Sequence, residues 1–212
     1  MPMLRILVVD DFPLFRRGVK DILAEGLGPV SIGEGGNVQE MLELVRHKKW
    51  DVVVMDISMP GRSGPEALKE LKREVPGLPV VVLTMHPEEQ YAVRMLKAGA
   101  DGYLTKSSAP EELVRAIKKV LEGGQYVSPS VAETLALNVK TGTDKPPHEL
   151  LSDREYEVFR FIASGKTVSE IAEALHLSVT TVSTYRARIL EKMSMKNNAE
   201  LTRYALQHTL AD

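Results

Sequence analysis

Short apolar runs and longer amphipathic segments alternate along the first half of the chain. The short runs are rich in valine and isoleucine and predict buried strands at Ile6–Val9, Val30–Gly33, Val52–Met55, Val80–Leu83 and Gly102–Leu104. The longer segments carry apolar residues at helical spacing and predict helices at Pro13–Ala24, Val38–Arg46, Pro65–Arg73, Glu88–Ala98 and Glu111–Glu122. Five strand–helix repeats predict a doubly wound α/β fold, with a parallel five-stranded sheet and helices on both faces.

The pattern changes near Gly123, where glycine and proline become frequent. This composition predicts a linker over residues 125–148, with a short helix at Val131–Val139 and a flexible end at Thr141–Pro147. The rest of the chain has four helical segments, "LSDREYEVFRFIASG", "TVSEIAEAL", "TTVSTYRARILEKM" and "NNAELTRYALQH". We therefore expect an α/β domain at residues 1–124, the linker, and a small all-α domain of four helices at residues 149–212.

Composition narrows the class of protein. The 212 residues include no cysteine, which excludes disulfides and thiolate metal sites. The longest apolar runs are too short to span a bilayer, and the N-terminus does not resemble a signal peptide, so we expect a cytoplasmic protein without membrane contact. The formal net charge is −2, so binding to nucleic acid would require a local positive surface.

Polar residues follow four of the predicted strands. Asp10 and Asp11 follow the first, Asp56 the third, Thr84 ends the fourth, and Lys106 follows the fifth. The carboxyl ends of parallel strands lie at one edge of the sheet, where ligands bind. Oxygen ligands suit Mg²⁺, which would offset the adjacent carboxylates and could hold a phosphoryl group. One carboxylate could then act as a nucleophile toward phosphorus.

Residues 1 to about 122 resemble the receiver domain of bacterial two-component response regulators, which has a flavodoxin-like fold. The resemblance is carried, in order, by "VVDD", "MDISMPGRSGPE", "VVVLTMH" and "AGADGYLTKS". It implies that a sensor histidine kinase transfers a phosphoryl group to Asp56.

The resemblance also implies a role for each polar residue of the site. Asp11 would ligate Mg²⁺ directly and Asp10 largely through water, with Asp56 and the main-chain carbonyl of Ser58 completing the ligands. Lys106 would pair with the phosphoryl oxygens and Thr84 would hydrogen-bond them. Thr84 would also move on activation, and the aromatic switch residue Tyr103 would swing inward as Thr84 moves.

Two local features qualify the resemblance. Ser107 stands where many receivers have proline, which leaves the geometry of the Lys106–Ser107 peptide open, since a cis bond is costly without proline. Pro60 and Gly61 predict a turn beside Asp56.

The last segments predict a helix-turn-helix between residues 168 and 193. On a helical wheel, the second helix turns one set of residues toward the core: Val179, Val182, Ile189, Leu190 and Met193. The opposite arc is small and polar with one arginine: Thr180, Ser183, Thr184, Ala187, Arg188 and Glu191. Such a surface can enter a major groove, although an ordinary solvated face would look similar. Arg186 lies near the apolar arc, and we expect it to pair with Glu155 or Glu157.

Residues 150 to about 208 resemble a LuxR-type helix-turn-helix, and the whole chain resembles the NarL/FixJ family of response regulators. The resemblance makes the helix starting near Val179 the recognition helix. Thr180, Ser183 and Thr184 would contact bases, and Arg188, Lys192, Lys166 and Thr167 would contact phosphates. Many relatives carry lysine at one or more of these groove-facing positions. Threonine and serine here make strong recognition of guanine less favourable, and DNA binding would depend more on the shape of the DNA, on contacts with methyl groups and on dimerisation. The helix Asn198–His208 would form a dimer contact.

We therefore expect a transcriptional regulator in which phosphorylation of Asp56 with Mg²⁺ controls dimerisation and promoter binding. It would not be an enzyme, beyond transfer of a phosphoryl group to its own Asp56 and hydrolysis from it. One alternative is a phosphatase of the haloacid dehalogenase type, but that chemistry needs a carboxylate two residues after the nucleophile, where Phe12 and Ser58 stand. Another is a regulator whose receiver responds to a ligand or partner without phosphorylation.

Overall fold

The computed structural model describes residues 3–59, 63–140 and 146–211. It divides into two compact units, residues 1–134 and 135–212. The turn expected at Pro60 and Gly61 and most of the flexible end expected at Thr141–Pro147 lie outside the described residues. The short helix expected at Val131–Val139 is present and spans Pro129–Lys140 (α6 below).

The first unit is the expected doubly wound α/β fold. Its strands are β1 (Leu4–Val9), β2 (Val30–Gly35), β3 (Val52–Met55), β4 (Val80–Thr84) and β5 (Gly102–Thr105). Its helices are α1 (Pro13–Leu27), α2 (Val38–His47), α3 (Gly64–Glu74), α4 (Glu88–Ala98) and α5 (Ala109–Leu121), and α6 (Pro129–Lys140) follows them. All strand pairs are parallel, and the order in the sheet is β2-β1-β3-β4-β5.

This strand order creates a crevice at one edge of the sheet. From β1 the chain crosses to β2 on one side, and β3 then returns to the other side of β1. The connections after β1 and β3 therefore diverge, and ligands bind at such switch points in open α/β sheets. Every residue of β3 and β4 is buried, because helices cover both faces of the central strands.

Trp50, the single tryptophan of the chain, is packed into the first unit. Its indole Nε1 donates to the carbonyl of Leu44 at 3.1 Å. A Cβ atom at Gly33 would lie 2.1 Å from its ring, so β2 needs glycine at this close approach. The tryptophan therefore senses the packing of the first unit.

The second unit is helical. A 3₁₀ turn at Pro147–Leu150 precedes α7 (Asp153–Ala163), α8 (Val168–Ala174), α9 (Val179–Lys192) and α10 (Asn198–Gln207). Ser152 and Glu155 form a capping box at the start of α7, and Ser178 caps α9. The core contains Phe159, Ile171, Val182, Ile189 and Leu201. The turn between α8 and α9 passes through a left-handed residue, His176, with φ 52°.

Candidate functional site

Three carboxylates meet at the crevice between β1 and β3. Asp10 and Asp11 directly follow β1, and Asp56 directly follows β3. They lie close together because the two strands are paired neighbours and end at the same level of the sheet. One oxygen from each carboxylate lies within 4.8 Å of the others. The Asp56 amide donates to the carbonyl of Val9 at 2.8 Å, so the sheet ladder itself fixes its position. The grouping predicted from the strand ends is therefore what the fold produces.

Lys106 brings a positive charge into this cluster. Its Nζ lies 2.6 Å from Asp10 Oδ2 and 2.7 Å from Asp56 Oδ2, and its side chain is only 7% exposed. The main chain places it there, since the Lys106 amide donates to the carbonyl of Thr84 at 2.7 Å and continues the pairing of β4 with β5. The peptide after Lys106 is trans, which answers the question raised by Ser107.

Burial and pairing oppose each other in the protonation of this cluster. Burial raises the pKa of Asp10 above its usual value, and hydrogen bonds from Lys106 and the Phe12 amide offset only part of that effect. Burial alone would lower the pKa of Lys106, but the hydrogen bonds to Asp10 and Asp56 raise it above its usual value. Lys106 therefore stays protonated between the carboxylates of Asp10 and Asp56.

The donor set fits a hard divalent cation. Asp11 Oδ1 is buried and has no hydrogen-bond partner among the described residues. Buried polar atoms are normally satisfied, so an orphaned carboxylate oxygen beside two other carboxylates indicates a place for a cation. Oxygen ligands and a net negative charge are what Mg²⁺ prefers. The acidic pocket of Asp10, Asp11 and Asp56 can thus hold a metal ion.

A chain of polar contacts leads away from Asp56. The Ser58 amide donates to Asp56 Oδ1 at 3.0 Å, and the hydroxyls of Ser58 and Thr84 lie 3.3 Å apart. The His86 amide approaches the Thr84 hydroxyl at 3.4 Å, and the Tyr103 hydroxyl donates to the His86 carbonyl at 3.0 Å. Tyr103 is 1% exposed, so its ring lies in the inward position.

Two aromatic neighbours of Lys106 escaped the sequence analysis. The Lys106 Nζ lies 4.2 Å from the centroid of the Phe15 ring and 5.9 Å from that of Phe12. Phe15 lies in the segment Pro13–Ala24, whose apolar pattern predicts the first helix and nothing more. Nothing in the sequence indicates that the Lys106 ammonium, which comes from the end of β5, lies over the Phe15 ring.

The face of α9 carries the expected polar residues on its outside. Thr180, Ser183, Thr184 and Arg188 are all exposed, and so are Lys166 and Thr167, which directly precede α8. Val182, Ile189 and Met193 face the core as expected. Val179, expected in the core, is instead 51% exposed. A wheel gives only a direction, whereas coverage of a residue in the first turn depends on whether a neighbouring helix reaches that far.

The expected pairing of Arg186 with Glu155 or Glu157 is wrong. Arg186 Nε donates to Asn198 Oδ1 on α10 at 2.7 Å. Glu157 pairs with Arg154 one turn earlier, and Glu155 takes its cation from Lys192, whose Nζ lies 2.6 Å away. A helical wheel gives the direction of each side chain but does not show which cation of α9 reaches the carboxylate of Glu155.

Lys192 therefore has an intramolecular partner, and its contact with DNA phosphates stays a prediction. Burial alone would raise the pKa of Glu155, but hydrogen bonds from Lys192 and Ser152 lower it below its usual value. The pair joins the end of α9 to the start of α7.

Comparisons with known proteins agree on both units. The response regulator receiver domain family matches residues 6–118, and the family of bacterial regulatory proteins called luxR matches residues 149–205. The chain is 40% identical to the response regulator GacA of Pseudomonas aeruginosa, over 99% of each chain. It is 36% identical to the response regulator UvrY of Escherichia coli, over 99% of this chain and 97% of UvrY.

A solved structure extends the likeness to a DNA complex. It is RcsB from Salmonella enterica serovar Typhimurium bound to the promoter rprA in the presence of the phosphomimetic BeF₃⁻. The TM-score is 0.66 at 27% sequence identity, and the match covers 95% of this chain and 98% of that chain. Among the described residues, no helix is long and apolar enough to cross a membrane.

Proposed function

The chain belongs to the response regulators that join a receiver domain to a LuxR-type DNA-binding domain, and we propose that Asp56 is its phosphoacceptor. As a member it is a phosphorylation-dependent, DNA-binding transcription regulator of a two-component system. One observation carries the assignment of Asp56. Its buried carboxylate shares the switch-point crevice with Asp10 and Asp11 and lies 2.7 Å from the Lys106 ammonium. This arrangement supplies a nucleophile, a metal pocket and a fixed cation together.

The residues of the crevice divide the work of phosphoryl transfer. An oxygen of Asp56 attacks the phosphorus of a phosphohistidine on a sensor kinase, so an O–P bond forms as the N–P bond to the imidazole breaks. Lys106 pairs with the phosphoryl oxygens, and Thr84 donates its hydroxyl to them. Asp11, Asp10 through water, Asp56 and the Ser58 carbonyl would hold Mg²⁺, which supplies charge neutralisation at the transferring group. Water later releases phosphate and restores the carboxylate.

The polar chain beyond Asp56 offers a path for the signal. When the Thr84 hydroxyl turns to the phosphoryl group, it gives up its contact with Ser58, 3.3 Å away in this state. The His86 amide and carbonyl follow, because they contact Thr84 and Tyr103 respectively. The surface around α4 and β5 would change, which favours dimerisation of the regulator.

Helix α9 is the DNA-recognition helix in this proposal. Thr180, Ser183 and Thr184 would meet base edges in the major groove, and Lys166, Thr167, Arg188 and Lys192 would meet phosphates. The promoter complex of RcsB supports this assignment by similarity of the whole chain. Two copies on adjacent half-sites would add their binding free energies, with α10 forming the contact between them. The partners are thus a sensor histidine kinase, promoter DNA and a second copy, in the cytoplasm.

Intact-mass spectrometry tests the phosphoacceptor directly. Wild type, Asp56→Asn and the matched variant Asp51→Asn are incubated with acetyl phosphate and Mg²⁺, and a parallel set receives EDTA. Asp51 is a suitable control because it pairs with Arg5 outside the crevice. We expect one added phosphoryl group in wild type and Asp51→Asn, and none in Asp56→Asn or with EDTA. A phosphoryl group retained by Asp56→Asn would refute the assignment.

A further inference from the structure

We propose that Phe15 is a positioning residue for Lys106. The Phe15 ring holds the Lys106 ammonium where it can pair with the phosphoryl group on Asp56. The inference rests on the proposed function of Asp56 and adds a residue that the polar constellation does not include. It is carried by the geometry of one cation and one ring, with the Nζ 4.2 Å from the Phe15 centroid.

The Lys106 ammonium is almost completely shielded from water. Its side chain is 7% exposed, and two of its protons go to the carboxylates of Asp10 and Asp56. An ammonium has three donors, so a further partner is needed once water is excluded. The negative face of an aromatic ring provides one within about 6 Å, and more strongly when the cation is desolvated.

The two nearby rings differ in how firmly they can act. Phe15 is partly buried and packs against the apolar core between the sheet and the helices α1 and α5. Phe12 is 64% exposed, and its centroid is 5.9 Å from the ammonium, at the outer limit of such an interaction. Phe15 is therefore the ring that fixes the ammonium, and Phe12 supplies a built-in comparison at the same cation.

Replacement by leucine separates the two contributions of Phe15. Leucine keeps an apolar side chain against the core but has no ring face for the ammonium. We expect Phe15→Leu to slow phosphorylation by saturating acetyl phosphate about three- to tenfold, from the usual strength of a partly desolvated cation–π contact. The Mg²⁺ concentration for half-maximal rate should not rise, since the metal-binding carboxylates remain in place. Phe15→Tyr, which keeps the ring face, should restore the rate, and Phe12→Leu should change it less than twofold.

A double-mutant cycle on unfolding tests the contact without any reaction. Phe15→Leu, Lys106→Met and the double variant are unfolded in urea with EDTA, followed by the fluorescence of Trp50. If the two side chains are coupled, the unfolding equilibrium constant of the double variant should differ by at least about threefold from the product of the two single-variant effects. If wild type takes up no phosphoryl group, the proposed function fails, and the cycle still decides whether Phe15 holds Lys106. Additive effects on unfolding, an unchanged rate in Phe15→Leu, or a Phe15→Tyr variant as slow as Phe15→Leu would overturn the inference.

Discussion

Replacing Lys106 by methionine should expose how much of the stability of the first unit depends on one cation. The side chains of Lys106, Asp10 and Asp56 are at most 7% exposed, and the ammonium contacts both carboxylates below 3 Å. Methionine keeps the unbranched shape and most of the length of the side chain but leaves two buried carboxylates facing each other. Breaking a buried ion pair on one side usually costs about 3–5 kcal/mol, because the remaining charge has no partner.

A second route to the magnitude gives the same range. The variant can relieve the repulsion by protonating one carboxylate. At pH 7 this costs about 4 kcal/mol, since about three pKa units separate that pH from the usual value for aspartate. We therefore expect a loss of about 3–4 kcal/mol in the free energy of unfolding in EDTA, and a larger gain in stability from Mg²⁺ than wild type shows.

Urea unfolding followed by Trp50 fluorescence measures this loss in the first unit alone. Lys72→Met is the matched control, because Lys72 Nζ also lies 2.7 Å from a carboxylate, that of Asp101, whose side chain is 31% exposed. In Lys72→Met, water can take the place of the ammonium beside Asp101, so we expect a loss of only about 1 kcal/mol in the free energy of unfolding. The reasoning is refuted if Lys106→Met unfolds at the urea concentration of wild type, or if Lys72→Met costs as much.

Two further predictions concern other parts of the chain. The pKa of Glu155 is lowered in the folded state, so its pairing with Lys192 stabilises the second unit fully at pH values above the usual pKa of 4.5. This stabilisation decreases as the pH falls through the folded-state pKa. The melting temperatures of wild type and Glu155→Gln, measured by circular dichroism between pH 6 and pH 3, should therefore converge at the acidic end. Gly64→Ala should cost about 1–3 kcal/mol by the same tryptophan fluorescence, because its Cβ would lie 2.3 Å from Ile57 Cβ, whereas Gly77→Ala meets nothing within 4 Å and should leave unfolding nearly unchanged.

The sheet and its functional edge could be predicted because their signals are local. Continuous apolar runs specify buried parallel strands, and a residue that directly follows a strand has only one edge of the sheet on which to lie. Asp10, Asp11 and Asp56 therefore come together whatever the details of the packing.

The contacts that the sequence did not predict depend on distance in three dimensions. Lys106 reaches over Phe15 from β5, and nothing in either neighbourhood of the sequence encodes that meeting. Arg186 and Lys192 lie on one helix, but Arg186 contacts Asn198 and Lys192 contacts Glu155. Which partner each side chain takes depends on its rotamer and on the packing around it. Val179 was misplaced because periodicity gives direction but does not show where neighbouring helices end.

DNA affinity in two phosphorylation states tests most directly the claim that Asp56 controls α9. Fluorescence anisotropy is recorded on a duplex selected from a random-sequence pool by the phosphorylated wild-type protein. We predict that phosphorylation tightens binding by wild type about tenfold or more, and that Asp56→Asn treated with acetyl phosphate binds like untreated wild type. Equal affinities for phosphorylated and unphosphorylated wild type, with phosphorylation verified by mass, would contradict the account.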